Sequence, residues 1–192
     1  FLLRGIHGSN YTPPPAGADT GFADVPADHP MAAWIKQLAA EGITGGCGTN
    51  LYCPEGKASN AEMAIFLLRS KHGSAYTPPA VGVSTGFNDV ATDAFGAAFI
   101  KQLVSDGITA GCGNSNYCPN DSVTRAQMAV FLLKGIQGAS YTPPAINGAT
   151  GFADVAANHW AAAWIKQLAA EGITSGCGGG NYCPDATVTR AQ

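Results

Sequence analysis

Along 124–138 the chain reads Thr-Arg-Ala-Gln-Met-Ala-Val-Phe-Leu-Leu-Lys-Gly-Ile-Gln-Gly. Met128, Phe131, Leu132 and Ile136 recur at helical spacing, so they define one apolar face. Thr124 stands where an N-cap belongs and Gln127 follows three residues later, the arrangement of a capping box. Gly138 can take the left-handed conformation that ends a helix. A second pattern runs over 161–173. There Ala161, Trp164, Ile165, Leu168, Ala169 and Ile173 form a broad apolar stripe, and Lys166, Gln167 and Glu171 face outward. Asp28, Asp93 and Asn158 are the expected N-caps of this helix type. Gly172 ends it and Ile173 folds back as the hydrophobic contact of a Schellman close, a pairing repeated at Gly42-Ile43 and Gly107-Ile108. Trp34, Phe99 and Trp164 lie in the stripe and are expected in the core.

Both patterns recur with one period. The first cysteines differ by 112−47 = 65 and 177−112 = 65, and the phenylalanines of Gly-Phe-x-Asp-Val by 87−22 = 65 and 152−87 = 65. This is a tandem repeat of a two-helix unit. Residues 1–8 read as the second half of a helix, 9–73 as the first repeat, 74–138 as the second, and 139–192 as a third that stops within its last helix. Half-helices have too few hydrogen bonds to offset nucleation. Each end is therefore expected at a junction, completed by the other end of the chain, by further sequence, or by a neighbouring copy.

Between helices, Tyr-Thr-Pro-Pro recurs at 11–14, 76–79 and 141–144. Paired prolines exclude a helix and favour a stiff extended connector. Its tyrosines are expected to pack on the adjacent helix. Thr12, Thr77 and Thr142 are alternatively O-glycosylation positions, and Asn10 and Asn120 begin short N-glycan acceptor patterns. In Gly-Phe-x-Asp-Val the carboxylates of Asp24, Asp89 and Asp154 suit bonds to local backbone N–H groups in an anchored turn.

Charge changes the picture of what the chain can bind. Only 12% of residues are charged and the net charge is −3, with 25 glycines and 12 prolines. No basic footprint for nucleic acid is present, and no apolar run approaches the roughly 18 residues of a membrane span. Six cysteines fall into three local pairs, Cys47 with Cys53, Cys112 with Cys118 and Cys177 with Cys183, and read as three short disulfide loops of an oxidising compartment. Metal is the competing reading, but two thiolates per repeat need further ligands, and the histidines do not recur beside them. Neither a metal nor a cofactor is expected. Arg125 is the odd residue of its helix. It occupies the first turn on the solvent side, beside the positive end of the dipole, where an acid is usual; an anion-binding site would explain it.

Taken together, Gly-Phe-Ala-Asp-Val-x4-Trp-x3-Trp-Ile-x2-Leu-x3-Gly-Ile-Thr-x-Gly, a glycine-rich loop, Tyr-x-Pro and Val-Thr-Arg-Ala-Gln-Met-Ala-x-Phe-Leu resemble the S-layer homology repeat. The resemblance covers the chain in three copies. It implies a mainly helical, all-α fold in which three helix-loop-helix repeats form a pseudo-threefold spindle. It implies non-covalent attachment of surface proteins to anionic cell-wall polysaccharide, commonly pyruvylated, and an extracellular location. The family's groove arginine falls on Arg125 and Arg190, with Thr124 and Thr189 beside them at the helix starts. Trp160 either covers a sugar face there or packs against the loop. Asn60 replaces the arginine in the first repeat, Phe95 and Pro30 replace Trp160, and the cysteine pairs are an addition to the family pattern.

Two functions follow: a wall anchor, and a subunit that builds an extracellular filament or layer by head-to-tail contact between copies of itself. Catalysis fits poorly. The recurring carboxylates sit at turn and cap positions without a partner acid at fixed separation, and no histidine pairs with a recurring nucleophile.

Overall fold

A computed structural model describes residues 1–192. It contains six helices: α1 (Leu2–His7), α2 (Ala32–Ala40), α3 (Asn60–His72), α4 (Ala97–Ser105), α5 (Arg125–Gln137) and α6 (Ala162–Ala170). The remaining backbone pairing is confined to isolated bridges, so the fold is all-α. No helix is long and apolar enough to cross a membrane.

The capping box is present in both long helices. Thr124 accepts from the Gln127 amide and Gln127 Oε1 accepts from the Thr124 amide, and Ser59 and Glu62 make the same exchange at the start of α3. Gly138 has a positive φ of 99°, but its ψ of 160° leads into the connector rather than into a left-handed turn. The short helices close as Schellman motifs. Gly172 donates to Ala169 and Ile173 to Leu168, with matching bonds at Gly42-Ile43 and Gly107-Ile108. The isoleucines are buried.

Their starts differ from the sequence expectation. Asp28, Asp93 and Asn158 are not N-caps, because α2, α4 and α6 begin several residues later, at Ala32, Ala97 and Ala162, with Met31, Gly96 and Ala161 as caps lacking a side-chain bond. A run of turns intervenes, held at two of the three sites by His29 Nδ1 and His159 Nδ1, which accept from the Met31 and Ala161 amides.

Helices α1, α3 and α5 contact one another, while α4 packs on α3 and α6 on α5. Leu68, Ile100, Leu103, Ala129, Leu133, Ile165 and Leu168 are sealed in the main core. Val25, Ile35 and Tyr52 form a smaller cluster. Ile136, expected on the buried face, is 43% exposed. Trp34, Phe99 and Trp164 pack at the margin of the core and are half-buried. The connector tyrosines meet them edge-on, Tyr11 on Trp34, Tyr76 on Phe99 and Tyr141 on Trp164, at 6.0–6.4 Å.

The repeats are tied to one another in a ring of backbone bonds just before the long-helix starts. Ala58 donates to Val188, Val188 to Val123, and Val123 to Ala58, at 2.8–3.0 Å. Phe1 and Gln192 lie side by side, the Phe1 nitrogen donating to the Gln192 carbonyl at 2.7 Å.

Candidate functional site

Each cysteine pair forms a disulfide with Cα atoms 6.0 Å apart, and no cysteine is free. The second cysteine of each pair has φ near +58°. That strained backbone is held by the aspartate of Gly-Phe-x-Asp-Val. Asp24 accepts from the Tyr52 and Cys53 amides, Asp89 from Tyr117 and Cys118, and Asp154 from Tyr182 and Cys183, all at 2.7–2.8 Å. The carboxylates thus do structural work as expected, but on amides 28 or 29 residues away rather than in a local turn.

Those bonds set acidity. Asp24 is held below the usual carboxylate range, first by the Tyr52 amide, against an opposing effect of burial. For Asp154 burial is the largest influence and pushes upward; the Tyr182 and Cys183 amides, with help from Arg125, outweigh it and leave the group lowered.

The tyrosine whose amide is clamped reaches across to a neighbouring repeat. Tyr182 Oη donates to the Arg125 carbonyl at 2.8 Å and Arg125 Nε donates back to the Tyr182 carbonyl at 2.7 Å. Tyr52 and Arg190 make the same exchange at 2.6 and 2.9 Å. In the remaining junction Tyr117 donates to the Asn60 carbonyl, and Asn60 Nδ2 reaches the Cys118 carbonyl at 2.9 Å. Sealed from water, Tyr52 and Tyr182 have hydroxyls pushed up to about 12 by burial. These tyrosines received no role from sequence reasoning, although their recurrence at 52, 117 and 182 repeats the 65-residue period and was the available signal.

Arg125 is therefore not on the solvent side of its helix, and Arg190, in the turn at 190–191, is buried in the same way. They are 4% and 7% exposed, stretched across the repeat junctions and stacked on Tyr182 and Tyr52 at 4.8 and 5.1 Å. Burial lowers the Arg125 pKa from its ordinary value. A helical-period analysis places a side chain relative to its own helix, and could not see that a loop of the next repeat covers it.

The two guanidinium groups differ at their ends. Arg190 Nη1 is paired with Glu62 Oε1 at 2.5 Å and Nη2 donates to Thr44 Oγ1 at 3.2 Å. Arg125 Nη2 is buried without a hydrogen-bond partner. Arg125 lines a groove of about 320 Å³ whose wall also includes Phe1, Arg4, Trp34, Thr174, Gly176 and Gln192 and no acidic side chain. Arg4 stacks over Trp34 at 5.3 Å, and its buried Nε is also unpartnered. The groove thus brings two guanidinium groups and the Trp34 face together, with Asp154 the acid that acts on Arg125 from a distance. Arg4 and Trp34 were not singled out as site residues from the sequence. The recurrence of a basic residue at 4, 69 and 134 would have pointed to the first.

The other expected site residues lie elsewhere or are occupied. The Thr124 hydroxyl caps α5 and the Thr189 amide faces Gln192 Oε1 at 3.4 Å. The Arg125 and Ala126 amides donate to the Ala186 and Pro184 carbonyls, so these N–H groups of the helix start are already taken. Trp160 is 62% exposed, stacks against His159, and does not border the Arg125 groove.

Comparison with known proteins gives the same family as the motifs. Residues 86–129 and 151–192 match the model of the S-layer homology domain. A "Cell surface protein" of Thermoanaerobacter kivui is 32% identical over 130 residues, 67% of this chain and 17% of that protein. A "Cellulosome-anchoring protein" of Acetivibrio thermocellus is 25% identical over 74% of this chain and 31% of that protein. An "S-layer protein" of Bacillus thuringiensis is 27% identical over 93% of this chain and 21% of that protein. The chain spans less than a third of the length of each.

Proposed function

Because the chain belongs to the S-layer homology family, we propose that it is a non-enzymatic, extracellular module that anchors a surface protein to anionic cell-wall polysaccharide. The observation that carries this reading is Arg125, whose Nη2 has no hydrogen-bond partner and which lines a groove with a second arginine and no acidic side chain. A carboxylate on a sugar, such as a pyruvate ketal, supplies the missing acceptor, and Trp34 offers a ring for the sugar face. Arg190 and Thr189 belong to a different junction, where Glu62 and Thr44 hold the guanidinium, and Trp160 is an outer surface residue.

The three repeats, at 9–73, 74–138 and 139–192, are in this reading set about a pseudo-threefold axis and joined by extended Pro-rich connectors. The cyclic bonds among Ala58, Val123 and Val188 support it.

Co-sedimentation with purified wall polysaccharide tests the anchor. The chain is expected to pellet with wall that retains its ketal pyruvate, and to stay in solution with wall stripped of it by mild acid. Arg125→Ala should weaken binding at least tenfold; pelleting independent of both pyruvate and Arg125 would remove the groove from the account.

Assembly of copies head to tail is a second reading, favoured by Phe95 and Trp160. They occupy equivalent positions in successive repeats and are 69% and 62% exposed. Regular filaments or sheets in negative-stain micrographs of the chain alone, lost in Phe95→Ser with Trp160→Ser, would support it, and dispersed particles would reject it.

A further inference from the structure

Three threonine positions recur in all three repeats: Thr20, Thr85 and Thr150; Thr44, Thr109 and Thr174; and Thr12, Thr77 and Thr142. Bonding within the fold accounts for the first two sets. Thr20, Thr85 and Thr150 are buried, and their hydroxyls donate to the Val25, Val90 and Val155 carbonyls at 2.5–2.7 Å. Thr44, Thr109 and Thr174 accept from the Gly46, Gly111 and Gly176 amides at 3.2–3.3 Å. The third set, in Tyr-Thr-Pro-Pro, is exposed, and neither its hydroxyl nor its backbone groups are hydrogen-bonded within the chain.

We propose that Thr12, Thr77 and Thr142 are acceptors for O-linked glycan, one on each repeat.

The connector presents these hydroxyls in a fixed way. On one side of each threonine, the amide of Tyr11, Tyr76 or Tyr141 donates to the Gly8, Gly73 or Gly138 carbonyl at 3.1 Å, and the ring meets an aromatic of the short helix. On the other side, Pro13, Pro78 or Pro143 is buried. Proline fixes its own φ and confines the residue before it to extended backbone. Each threonine is thus held between two inward anchors while its own side chain points to solvent. An extended stretch with free backbone groups is a form that an enzyme cleft can grip through main-chain hydrogen bonds, and the connector reaches it with little further loss of conformational freedom.

Comparison of the repeats singles out the hydroxyl. Exposed neighbours drift from copy to copy, Asn10 against Ala75 and Ser140, Pro15 against Ala80 and Ala145, Asp19 against Ser84 and Ala149. Threonine does not. Extended backbone alone would be served as well by valine, whose branched side chain also favours it, so what the retained threonine adds is its oxygen. Threonine beside proline on an exposed segment is also the composition of O-glycosylated stalks. Asparagine-linked glycan does not explain the set, because Asn10 heads an acceptor pattern only in the first repeat.

The transfer is a substitution at the sugar. Threonine Oγ1 bonds to the anomeric carbon of a glycosyl phosphate ester, the bond from that carbon to the phosphate oxygen breaks with its electron pair leaving on phosphate, and the hydroxyl proton passes to a base of the transferase. Nothing is oxidised or reduced.

The test uses protein taken from the surface of the cells that produce it, digested and sequenced by electron-transfer fragmentation, which leaves glycosidic bonds intact. Sugar is expected on Thr12, Thr77 and Thr142 and not on Thr20, Thr44 or their counterparts. Mild alkaline β-elimination should release it and leave a dehydrated threonine, whereas sugar on asparagine would survive. Thr12→Val combined with Thr77→Val and Thr142→Val, made in the same cells, should lose all three sugar masses with an unchanged circular dichroism spectrum, and the corresponding triple change to serine should keep them. Bare threonines at all three positions overturn the proposal. So do sugar confined to Asn10, sugar spread equally over the other recurring threonines, and sugar masses undiminished in the triple valine chain.

Discussion

The Arg125 and Arg190 junctions share a backbone and differ in their electrostatics. In both, an arginine, at the start of α5 for Arg125 and in a turn for Arg190, crosses to the next cysteine loop, bonds a tyrosine carbonyl through Nε and receives the tyrosine hydroxyl on its own carbonyl. In one, a glutamate and a threonine complete the guanidinium; in the other, its end is left without a partner. The difference teaches that one motif can have its guanidinium saturated at one place and left with a free donor at another. What decides is a neighbour about one hydrogen-bond length away, contributed by a different repeat.

The shared part of the two junctions should be the most sensitive to change. Gly46 and Gly176 have φ of +85° and +93°, and a Cβ would lie 2.3 Å from the Leu51 carbonyl and 2.2 Å from the Asn181 carbonyl. Either Gly→Ala change should cost about 4 kcal/mol in urea unfolding, by backbone collision and left-handed strain. A cost several-fold smaller at Gly176 than at Gly46 would break the equivalence of the two floors.

The charged ends should separate them. Arg190→Met leaves Glu62 without its cation and Thr44 without its donor, so a loss of about 3 kcal/mol is expected. Arg125→Met removes one good hydrogen bond and no ion pair, for a loss of about 1 kcal/mol. Equal losses would show that Glu62 contributes nothing at the Arg190 junction. Below these stands the disulfide. Cys177→Ser with Cys183→Ser should cost about 2 kcal/mol by loop entropy, placing it between the two arginines.

The smallest effects are those of pH, and they should be common to both junctions. Asp24 and Asp154 titrate below their unfolded values. Their stabilisation is present above the unfolded carboxylate value of about 3.9 and is lost as pH falls through the lower folded value. Asp24→Asn should flatten this acid limb in a plot of melting temperature against pH. Tyr52 and Tyr182 have the opposite displacement, up to about 12. Their stabilisation is complete below the unfolded value of about 10 and is lost as pH rises through about 12. Tyr182→Phe should remove part of that alkaline limb.

Much of this molecule was written in local patterns. Residues 125–137 form the helix that the spacing of Met128, Phe131 and Leu132 predicts, with the cap at Thr124 and the end before Gly138, because caps and periodicity act within a few residues of themselves. The Schellman closes at Gly42, Gly107 and Gly172 were legible for the same reason, as were the 65-residue period and the cysteine pairs, which are only six residues apart. The helix starts after Asp28, Asp93 and Asn158 were misplaced because Asp and Asn suit a preceding turn as readily as a cap. The destinations of the longer side chains were decided by tertiary structure. Asp24 reaches amides 28 and 29 residues away, Tyr52 meets a carbonyl 138 residues away, and Arg190 meets a carboxylate 128 residues away. Sequence fixes which groups can bond; only the closing of one repeat on another decides which of them are left without a partner, and Arg125 owes its vacant nitrogen to that.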